Sequence, residues 1–252
     1  MSNSRSTPET SSGANALIVT PTYNERDNLE PFLAGVFRWA PEANVLIVDD
    51  ASPDGTGALA DEIAAREPRV KVMHRPGKLG LGSAYREAFA IGLSDRRYEF
   101  FYEMDTDLSH DPQYLPQFGR ALDGGADVVI GSRNIPGGGV EGWGLGRHFM
   151  SKGGSLYSRT ILGLGIRDLT SGYKAFRRRA LEAIDLSSVR SEGYSFQIET
   201  TYRCVRKGFT VAEVPIIFVD RRQGASKMSR KIFAEAVGMV WKLRFDAARG
   251  KF

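Results

Sequence analysis

Short apolar runs that alternate with segments of helical periodicity constrain the fold of this chain most strongly. Five such runs come before residue 131, at 16–20, 45–48, 70–73, 100–104 and 127–130. Segments of helical character separate them, at 29–37, 56–66, 82–93 and 114–122. Strands joined through single helices form a mostly parallel sheet with helices on both faces. The pattern therefore predicts an α/β fold with a doubly wound, Rossmann-like sheet.

The second part of the chain lacks this regular alternation. The glycine-rich segment 135–142 is predicted to be a mobile loop. Predicted helices follow at 147–162 and 196–207, and a predicted strand at 210–219. A last, amphipathic helix begins near Ser226.

The first residues do not resemble a targeting signal. Residues 1–13 are rich in Ser and Thr and have no apolar core, which is typical of a disordered tail and not of a signal peptide. A chain of 252 residues is long enough for one substantial core. We therefore expect a disordered tail at 1–13, one α/β domain at 14–225 and the amphipathic helix at 226–252.

The cysteines and histidines disfavour several classes of protein. One cysteine, Cys204, cannot form an internal disulfide, and this fits a reducing compartment. The three histidines have no HxxxH spacing and the chain has no CxxC, so a zinc site is disfavoured.

No apolar run approaches the ~18–20 residues that span a bilayer, and no GxGxxG follows the first strand as NAD binding requires. We expect a cytoplasmic protein that does not use NAD.

Charge is distributed unevenly along the chain. Residues 1–146 contain 13 Lys and Arg against 21 Asp and Glu, a net charge of −8. Residues 147–252 contain 21 Lys and Arg against 9 Asp and Glu, a net charge of +12. Such a split indicates a metal site in the acidic part and an anionic partner for the basic part, although many of these charges also solvate helix faces.

Two acidic residues close the fourth apolar run. Asp105 and Asp107, with Thr106 between them, directly follow the aromatic run 100–104. Open α/β sheets bind their ligands at the carboxyl ends of the strands. If the chain turns after Asp105, both carboxylates can reach one hard divalent cation together with phosphate oxygens of a substrate. A solvated acidic turn that caps the next helix is the alternative, and the tripeptide alone leaves both open.

Two further segments carry candidate ligand contacts. The second predicted strand ends in Asp49 and Asp50, and an Asp at this place can bond a ribose hydroxyl or a base N–H. Ser52 and Asp54 are also good caps for the next helix. The segment 75–82 places Lys78 and closely spaced backbone N–H groups at a helix start, where they could cradle a phosphate group.

A phosphatase is an alternative interpretation of the acidic tripeptide. Residues 105–109 match the DxDx[TS] pattern of haloacid-dehalogenase-type phosphatases, in which Asp105 would become a phosphoaspartate. In those enzymes the pattern follows the first strand, and the paired acidic residues come later in the chain. Here it follows the fourth predicted strand, and Asp49 and Asp50 come earlier. The order disfavours a phosphatase.

Three motifs, at the ends of the first, second and fourth predicted strands, together resemble a known family. PTYNE at 21–25, VDDASPDGT at 48–56 and MDTDLSH at 104–110 occur in this order, and the set resembles the family 2 glycosyltransferases of the GT-A fold. Later segments resemble the dolichol- or polyprenol-phosphate mannose synthases within that family; they are 131–133, the glycine loop with Trp143, 168–173, 193–199 and 226–228. Thr106 stands where the family usually has Ala, and Ser109 where some members carry Gln.

The resemblance implies a metal-dependent, inverting transfer of mannose from GDP-mannose to a polyprenyl or dolichyl phosphate, with Mg²⁺ or Mn²⁺ as cofactor. Asp105 and Asp107 would bind the metal ion and form the catalytic centre with Arg133. The implied donor contacts are Pro21, Tyr23, Glu25, Val48, Asp50, Lys78, Thr106, Arg221 and Lys227. The implied contacts with the acceptor phosphate are Arg133, Arg147 and Ser151. UDP-glucose or UDP-GlcNAc is the alternative donor on the same fold.

The final segment indicates where such an enzyme would work. Its apolar residues fall on one arc of the predicted helix; they are Met228, Ile232, Ala236, Met239, Val240 and Leu243. A basic amphipathic helix with an aromatic residue, here Trp241, can lie in a membrane interface, and its arc can also pack on the sheet. We expect a peripheral protein on the cytoplasmic face of a membrane, with or without a separate membrane-anchoring protein, and no nucleic-acid partner. A catalytically silent nucleotide-binding partner of a membrane protein is disfavoured by the intact Asp105 and Asp107.

Overall fold

The computed structural model describes residues 13–142, 145–220 and 230–251, with side chains described throughout except at 145–151 and 230–236. The strands in these ranges are β1 (Ala16–Thr22), β2 (Asn44–Asp49), β3 (Val70–His74), β4 (Phe100–Glu103), β5 (Val128–Ser132), β6 (Gly139–Glu141), β7 (Lys174–Arg177), β8 (Val211–Pro215) and β9 (Ile217–Val219). The helices are α1 (Arg26–Trp39), α2 (Thr56–Arg66), α3 (Leu81–Ser94), α4 (Leu115–Asp123), α5 (Leu145–Leu162), α6 (Arg178–Ala183), α7 (Gly193–Arg206) and α8 (Arg230–Ala248). Short 3-10 turns lie at Pro112–Tyr114 and Leu186–Ser188.

Seven of these strands form one mostly parallel sheet in the order β3-β2-β1-β4-β7-β5-β8. Only β7 runs against its neighbours, β4 and β5. The strand order reverses direction at β1, because β2 and β3 lie on one side of it and β4 on the other. This confirms the predicted α/β, doubly wound class, and the five strands expected before residue 131 are all present.

Alternate residues along the strands build two separate cores, one on each face of the sheet. Leu17, Val48 and Phe101 pack with helices α3, α7 and α8 on one face, and Ile18 and Tyr102 pack with α1, α2 and α4 on the other. Continuous apolar strands are what a sheet covered on both faces requires. The helices therefore cover both faces and leave only the edges of the sheet for ligands.

Two expectations for the second part of the chain were wrong in detail, and two short elements were not predicted. The glycine-rich loop contains β6, which pairs in parallel with β9 in a small second sheet. The strand predicted at 210–219 is interrupted at Ile216, so its first part joins the main sheet and its second part joins β6. Strand β7 and the short helix α6 were not predicted, because Lys174–Arg177 begins and ends with basic residues.

Four strand ends meet at one edge of the main sheet. Strands β1, β2, β4 and β5 run in the same direction, so their carboxyl ends lie together. Ligands of open α/β sheets bind in the crevice where the strand order reverses. In this chain that crevice lies between the ends of β1 and β4.

The last helix packs against the body of the protein. Val240, Leu243 and Ala247 of α8 are buried in the same core as α3 and α7, and the Tyr157 hydroxyl of α5 donates a hydrogen bond to the Val237 carbonyl at 3.2 Å. Part of the predicted apolar arc is thus used for packing. Among the described residues, no helix combines the length and hydropathy needed to cross a membrane.

Candidate functional site

The acidic tripeptide lies at the crevice between β1 and β4. The Asp105 side chain is 32% exposed and Asp107 is partly exposed, whereas Thr106 is buried between them. The Thr106 hydroxyl bonds to the hydroxyl of Thr20 at 2.7 Å, which ties this segment to β1. The two carboxylates can therefore meet a ligand while the central residue fixes the segment to the sheet.

Each carboxylate residue has its own polar partner. The Ser109 hydroxyl and backbone N–H both donate to Asp107 Oδ1, at 2.6 and 3.1 Å. The backbone N–H of Asp105 donates to Nδ1 of His110 at 3.0 Å. Ser109 thus holds the Asp107 carboxylate through a carboxylate oxygen, and His110 holds Asp105 through the backbone N–H of Asp105.

The pKa of Tyr85 is affected by the acidic residues at the end of β4. Tyr85 lies fully buried on α3. Burial raises the pKa of Tyr85 well above its usual value, and the negative charges of Asp105, Glu103 and Asp107 raise it further. The charges of both tripeptide carboxylates therefore contribute to the raised pKa of Tyr85.

The residues of the tripeptide fit a hard divalent cation that is shared with a ligand. Mg²⁺ and Mn²⁺ prefer oxygen ligands and are commonly held by one or two carboxylates together with substrate phosphates. Asp105 and Asp107 supply such oxygens at a partly exposed place. No group of three or more His, Cys, Asp or Glu side chains suited to a metal occurs in the part of the chain that the structure describes. A cation at this edge would complete its coordination with water or substrate oxygens.

The residues expected to bind the donor lie in two contacts beside the crevice. Lys78 Nζ lies over the ring of Tyr23, 4.1 Å from its centroid. Arg75 donates to Asp50 Oδ1 at 2.6 Å, and the Arg75 side chain is almost fully buried. Burial raises the pKa of Asp50, and the charge and hydrogen bond of Arg75 partly offset this. The structure thus brings the loops after β1, β2 and β3 together around one surface.

Other expected donor residues have structural roles of their own. Pro21 lies in β1 opposite Val48 of β2, and the Val48 side chain is fully buried in the core. Glu25 precedes α1, where its carboxylate accepts a hydrogen bond from Asn28 at 2.7 Å and its backbone N–H donates to Thr56 at 3.0 Å. Val48 is also paired with strands on both sides, so its expected role in donor binding stays a proposal.

The expected phosphate cradle at the start of α3 holds a carboxylate of the chain itself. Glu192 Oε2 accepts the backbone N–H groups of Gly82 and Ser83, at 2.7 and 3.3 Å. Arg86 donates to the other oxygen of Glu192 at 3.1 Å. The first N–H groups of this helix are therefore used to join α3 to the segment before α7.

Arg133 follows β5 and is held by a buried partner. Its Nε and Nη2 donate to the two oxygens of Asp168 at 2.7 and 2.8 Å, and its backbone N–H donates to the same carboxylate at 3.0 Å. Nη2 also donates to the Thr170 hydroxyl at 3.0 Å. Burial alone would raise the pKa of Asp168, but the charge and hydrogen bonds of Arg133 outweigh it and hold this pKa below its usual value. Arg133 is thus fixed in direction at the edge of the sheet.

A buried polar cluster lies beneath the tripeptide. Glu103 and Lys174 are fully buried and lie opposite each other in β4 and β7. Lys174 Nζ donates to the Gln197 carbonyl and the Thr201 hydroxyl of α7, at 2.5 and 2.8 Å. Burial raises the pKa of Glu103 and lowers that of Lys174. This cluster joins the strand that ends in the tripeptide to α7.

Four of the expected site residues cannot be placed in this geometry. Two of them, Arg221 and Lys227, lie outside the described residues. Trp143 and Ser226, which belong to the later motifs, lie outside them as well. Arg147 and Ser151 belong to α5, and their side chains lie outside the described part. Thr20, His110 and Glu192 are structural partners that no sequence pattern assigned, although His110 belongs to the motif at 104–110.

The sheet order and the carboxylates at its crevice define the class of glycosyltransferases with the GT-A fold. A family model described as glycosyl transferase family 2 matches residues 17–185. The chain belongs to this family, and it is a glycosyltransferase; the resemblance drawn from the strand-end motifs is confirmed.

Two relatives match nearly the whole chain. Polyprenol monophosphomannose synthase of Mycolicibacterium smegmatis is 51% identical over 239 residues, which is 93% of this chain and 90% of that protein. Undecaprenyl-phosphate mannosyltransferase of Micrococcus luteus is 50% identical over 240 residues, which is 93% of this chain and 98% of that protein. Both names belong to the branch that the later motifs resemble.

Solved structures share the fold at much lower identity. Glucosyl-3-phosphoglycerate synthase from Mycobacterium tuberculosis in complex with phosphoglyceric acid aligns with a TM-score of 0.63 and 18% identity, covering 91% of this chain and 79% of that one. The same synthase with Mn²⁺, UDP-glucose and phosphoglyceric acid aligns with a TM-score of 0.61 and 20% identity, covering 90% and 80%. At this identity the likeness concerns the fold alone.

Proposed function

We propose that this protein transfers mannose from GDP-mannose to a polyprenyl phosphate, with inversion at the sugar carbon and with Mg²⁺ or Mn²⁺ as cofactor. The names of the two relatives at about half identity support mannose as the sugar and a polyprenyl phosphate as the acceptor. The observation that carries the proposal is the placement of Asp105 and Asp107 at the crevice beside the donor-side contact of Tyr23 with Lys78.

The carboxylates account for the departure of the nucleotide. When the bond between the sugar carbon and the diphosphate breaks, the diphosphate gains a negative charge. A divalent cation bound there supplies several kcal/mol of stabilisation to this charge. Asp105 and Asp107 would hold that cation, and Ser109 keeps one oxygen of Asp107 engaged so that the carboxylate has a fixed direction. The metal roles of both residues belong to the proposal.

Donor recognition is assigned to the loops after β1, β2 and β3. Tyr23 and Lys78 present an aromatic face and a cation next to each other, and both suit a nucleoside diphosphate. Asp50 is held by Arg75 and can accept a base or ribose hydrogen bond. Pro21, Glu25, Val48 and Thr106 complete the proposed donor set with Arg221 and Lys227.

The acceptor side needs orientation and no general base. A phosphate monoester with a second pKa of about 6 is largely ionised at pH 7, so its oxygen can attack the sugar carbon without losing a proton. Attack from the face opposite the diphosphate inverts that carbon and gives a β-linked product. Arg133, fixed by Asp168, would direct the acceptor phosphate together with Arg147 and Ser151.

A lipid acceptor calls for a surface that meets the membrane. Trp241 and Phe245 of α8 are 44% and 56% exposed, and their rings stack with centroids 5.9 Å apart. Lys242 and Arg244 are exposed between them. Aromatic and basic side chains on one helix surface are typical of proteins that lie at anionic membrane interfaces. We propose that this aromatic pair contacts the membrane from the cytoplasmic side.

The transfer reaction can be tested with a panel of donors. The protein is incubated with polyprenyl phosphate, Mn²⁺ and radiolabelled GDP-mannose, UDP-glucose or UDP-GlcNAc. We expect lipid-extractable label from GDP-mannose only, loss of transfer on addition of EDTA, and normal transfer by Asp123→Asn, which changes an exposed carboxylate outside the site. Label from a UDP-sugar only, or full transfer in EDTA, would overturn the proposal.

The membrane contact can be tested separately. Pelleting with vesicles of anionic lipid is compared for the protein and for the double variant Trp241→Ser, Phe245→Ser, whose changes lie on the exposed side of α8. We expect the variant to remain largely in the supernatant, because it loses the apolar area that enters the interface. Equal pelleting of both proteins would show that this pair does not carry the contact.

A further inference from the structure

His110 lies next to the proposed metal site without belonging to the ligands. Its Nδ1 accepts the backbone N–H of Asp105 at 3.0 Å. We propose that His110 is a positioning residue: through this bond it fixes the Asp105 backbone and so the direction in which the Asp105 carboxylate meets the cation. This inference rests on the metal role of Asp105 in the proposed function.

The ladder of the main sheet ends just before Asp105. The backbone N–H of Met104 still donates to the Val19 carbonyl of β1 at 3.2 Å. The next N–H, that of Asp105, donates to the imidazole of His110 and not to β1. A backbone N–H that is withdrawn from water needs an acceptor. His110 supplies that acceptor at the residue where the strand turns into the ligand-binding segment.

The direction of this hydrogen bond defines the state of the ring. A nitrogen that accepts an N–H must carry a lone pair, so Nδ1 is unprotonated and the ring proton sits on Nε2. Nε2 lies 3.9 Å from Asp105 Oδ2, which is longer than a hydrogen bond. The hydrogen bond between the ring and Asp105 is therefore made to the backbone, and the Nε2–Oδ2 distance is too long for a second one to the carboxylate.

The ring cannot move to follow a displaced backbone. His110 is buried, and it stacks on Tyr173 with centroids 5.1 Å apart and planes at 20°. Phe218 packs edge-on against it at 5.7 Å. Tyr173 directly precedes β7, and Phe218 lies in β9, so the position of His110 is set by two parts of the chain far from it in sequence. Because Tyr173 and Phe218 hold the ring, the position of its Nδ1, and with it that of the Asp105 N–H, depends on these two residues.

Two amide side chains separate the positioning role from mere packing. The side-chain oxygen of Asn can take the place of Nδ1, whereas the longer Gln side chain carries its amide group near the place of Nε2. His110→Asn therefore keeps an acceptor for the Asp105 N–H, and His110→Gln and His110→Leu do not. His74→Asn is the matched control, because it makes the same change at an exposed histidine away from the tripeptide.

The test measures Mn²⁺ binding by electron paramagnetic resonance in the presence of GDP, with thermal unfolding recorded for each variant. We expect His110→Leu and His110→Gln to weaken Mn²⁺ binding by about tenfold or more, as changes next to a metal ligand commonly do. His110→Asn should stay within about threefold of the unchanged protein, and His74→Asn should match it. Equal losses in the Asn and Leu variants, or no loss in any variant, would overturn the positioning role.

A measurement on the unchanged protein covers the case in which a variant does not fold. Nitrogen NMR of protein labelled in its three histidines reports which ring nitrogen carries the proton. We expect His110 to show an unprotonated Nδ1 and a protonated Nε2 at neutral pH, and the opposite tautomer would contradict the proposed bond. If the unchanged protein binds no Mn²⁺ with GDP, the proposed function fails instead, whatever the tautomer is.

Discussion

Two segments, one after β4 and one after β5, use their charged residues in opposite ways. After β4, Asp105 and Asp107 are partly exposed and are oriented by His110 and Ser109. After β5, Arg133 is almost fully buried and its guanidinium makes two hydrogen bonds to the carboxylate of Asp168. The carboxylates of the first segment are accessible to a ligand. The guanidinium of the second is largely paired with a carboxylate of the protein itself.

Substitutions in the two segments should affect different properties of the protein, ligand binding in one and folding stability in the other. A carboxylate that is partly exposed can be removed without leaving a buried charge behind, so the loss should fall on ligand binding. Removal of one partner from a buried ion pair leaves an uncompensated charge, so the loss should fall on folding. Substitution of a carboxylate in the first segment should therefore reduce transfer with little change in stability, whereas removal of Asp168 should reduce stability first and, because Arg133 loses its fixed direction, transfer as well.

The largest effect is expected for Asp107→Ala. Loss of one metal carboxylate should reduce mannose transfer by about a thousandfold, because several kcal/mol of stabilisation of the departing diphosphate is lost. The melting temperature should stay close to that of the unchanged protein. Transfer rates and thermal unfolding measured on the same preparation check both parts. Near-normal transfer would remove Asp107 from the proposed metal site.

Asp168→Asn should act mainly on stability. The change leaves the buried Arg133 without a charged partner, and breaking such a pair costs about 3–5 kcal/mol of unfolding free energy. Urea unfolding at pH 7 measures this. A loss below about 1 kcal/mol would mean that the pair contributes little to the fold.

Acid should remove the same contribution from the unchanged protein. The pKa of Asp168 is lower in the folded protein than in the unfolded chain, where it is about 3.9. The stability from this group is therefore present above the unfolded pKa and is lost as the pH falls through the lower folded pKa. Urea midpoints at a series of pH values should fall less steeply below pH 4 in Asp168→Asn. Identical pH profiles would contradict the assigned shift.

A smaller effect is expected where Thr106 joins the tripeptide to β1. Thr106→Ala leaves the buried Thr20 hydroxyl without this partner, which costs about 1–3 kcal/mol. The double variant Thr20→Ala, Thr106→Ala should cost less than the sum of the two single changes, since both remove the same bond. Urea unfolding of the four proteins provides this comparison, and strict additivity would rule the bond out as a source of stability.

The smallest effect is expected for Lys78→Met. The Lys78 ammonium is exposed beside the Tyr23 ring, and an exposed charge pair such as it would form with a bound phosphate contributes about 0.2–1 kcal/mol. Binding of GDP measured by calorimetry should weaken by roughly fivefold, with unfolding unchanged. Unaltered GDP affinity would place the nucleotide away from this loop.

The parts of the fold with a simple local pattern could be predicted from the sequence. Strands β1 to β5 are short apolar runs, and helix α2 occupies the predicted residues 56–66. Strand β7 could not be predicted, because Lys174 is buried only where α7 supplies the Gln197 carbonyl and the Thr201 hydroxyl. The pairing of β6 with β9 likewise depends on residues that are far apart in the chain.

The candidate site divides in the same way. Asp105 and Asp107 could be selected from the sequence because strand ends are where such folds bind ligands. Their hydrogen-bond partners, His110 and Ser109, lie in the same motif, whereas Thr106 between them bonds to Thr20, which lies 86 residues away and is brought near only by the fold. The bidentate contact between Arg133 and Asp168 spans 35 residues and could not be predicted from the sequence, whereas the role of Arg133 at the acceptor phosphate stays a proposal.

A crystal structure of the protein with GDP and Mn²⁺ tests the central claim most directly. Anomalous scattering locates manganese independently of the rest of the density. We predict a peak about 2.1 Å from carboxylate oxygens of Asp105 and Asp107 and within ligand distance of the GDP diphosphate. A manganese peak bound elsewhere, or GDP bound at the crevice with no metal near either carboxylate, would contradict the account.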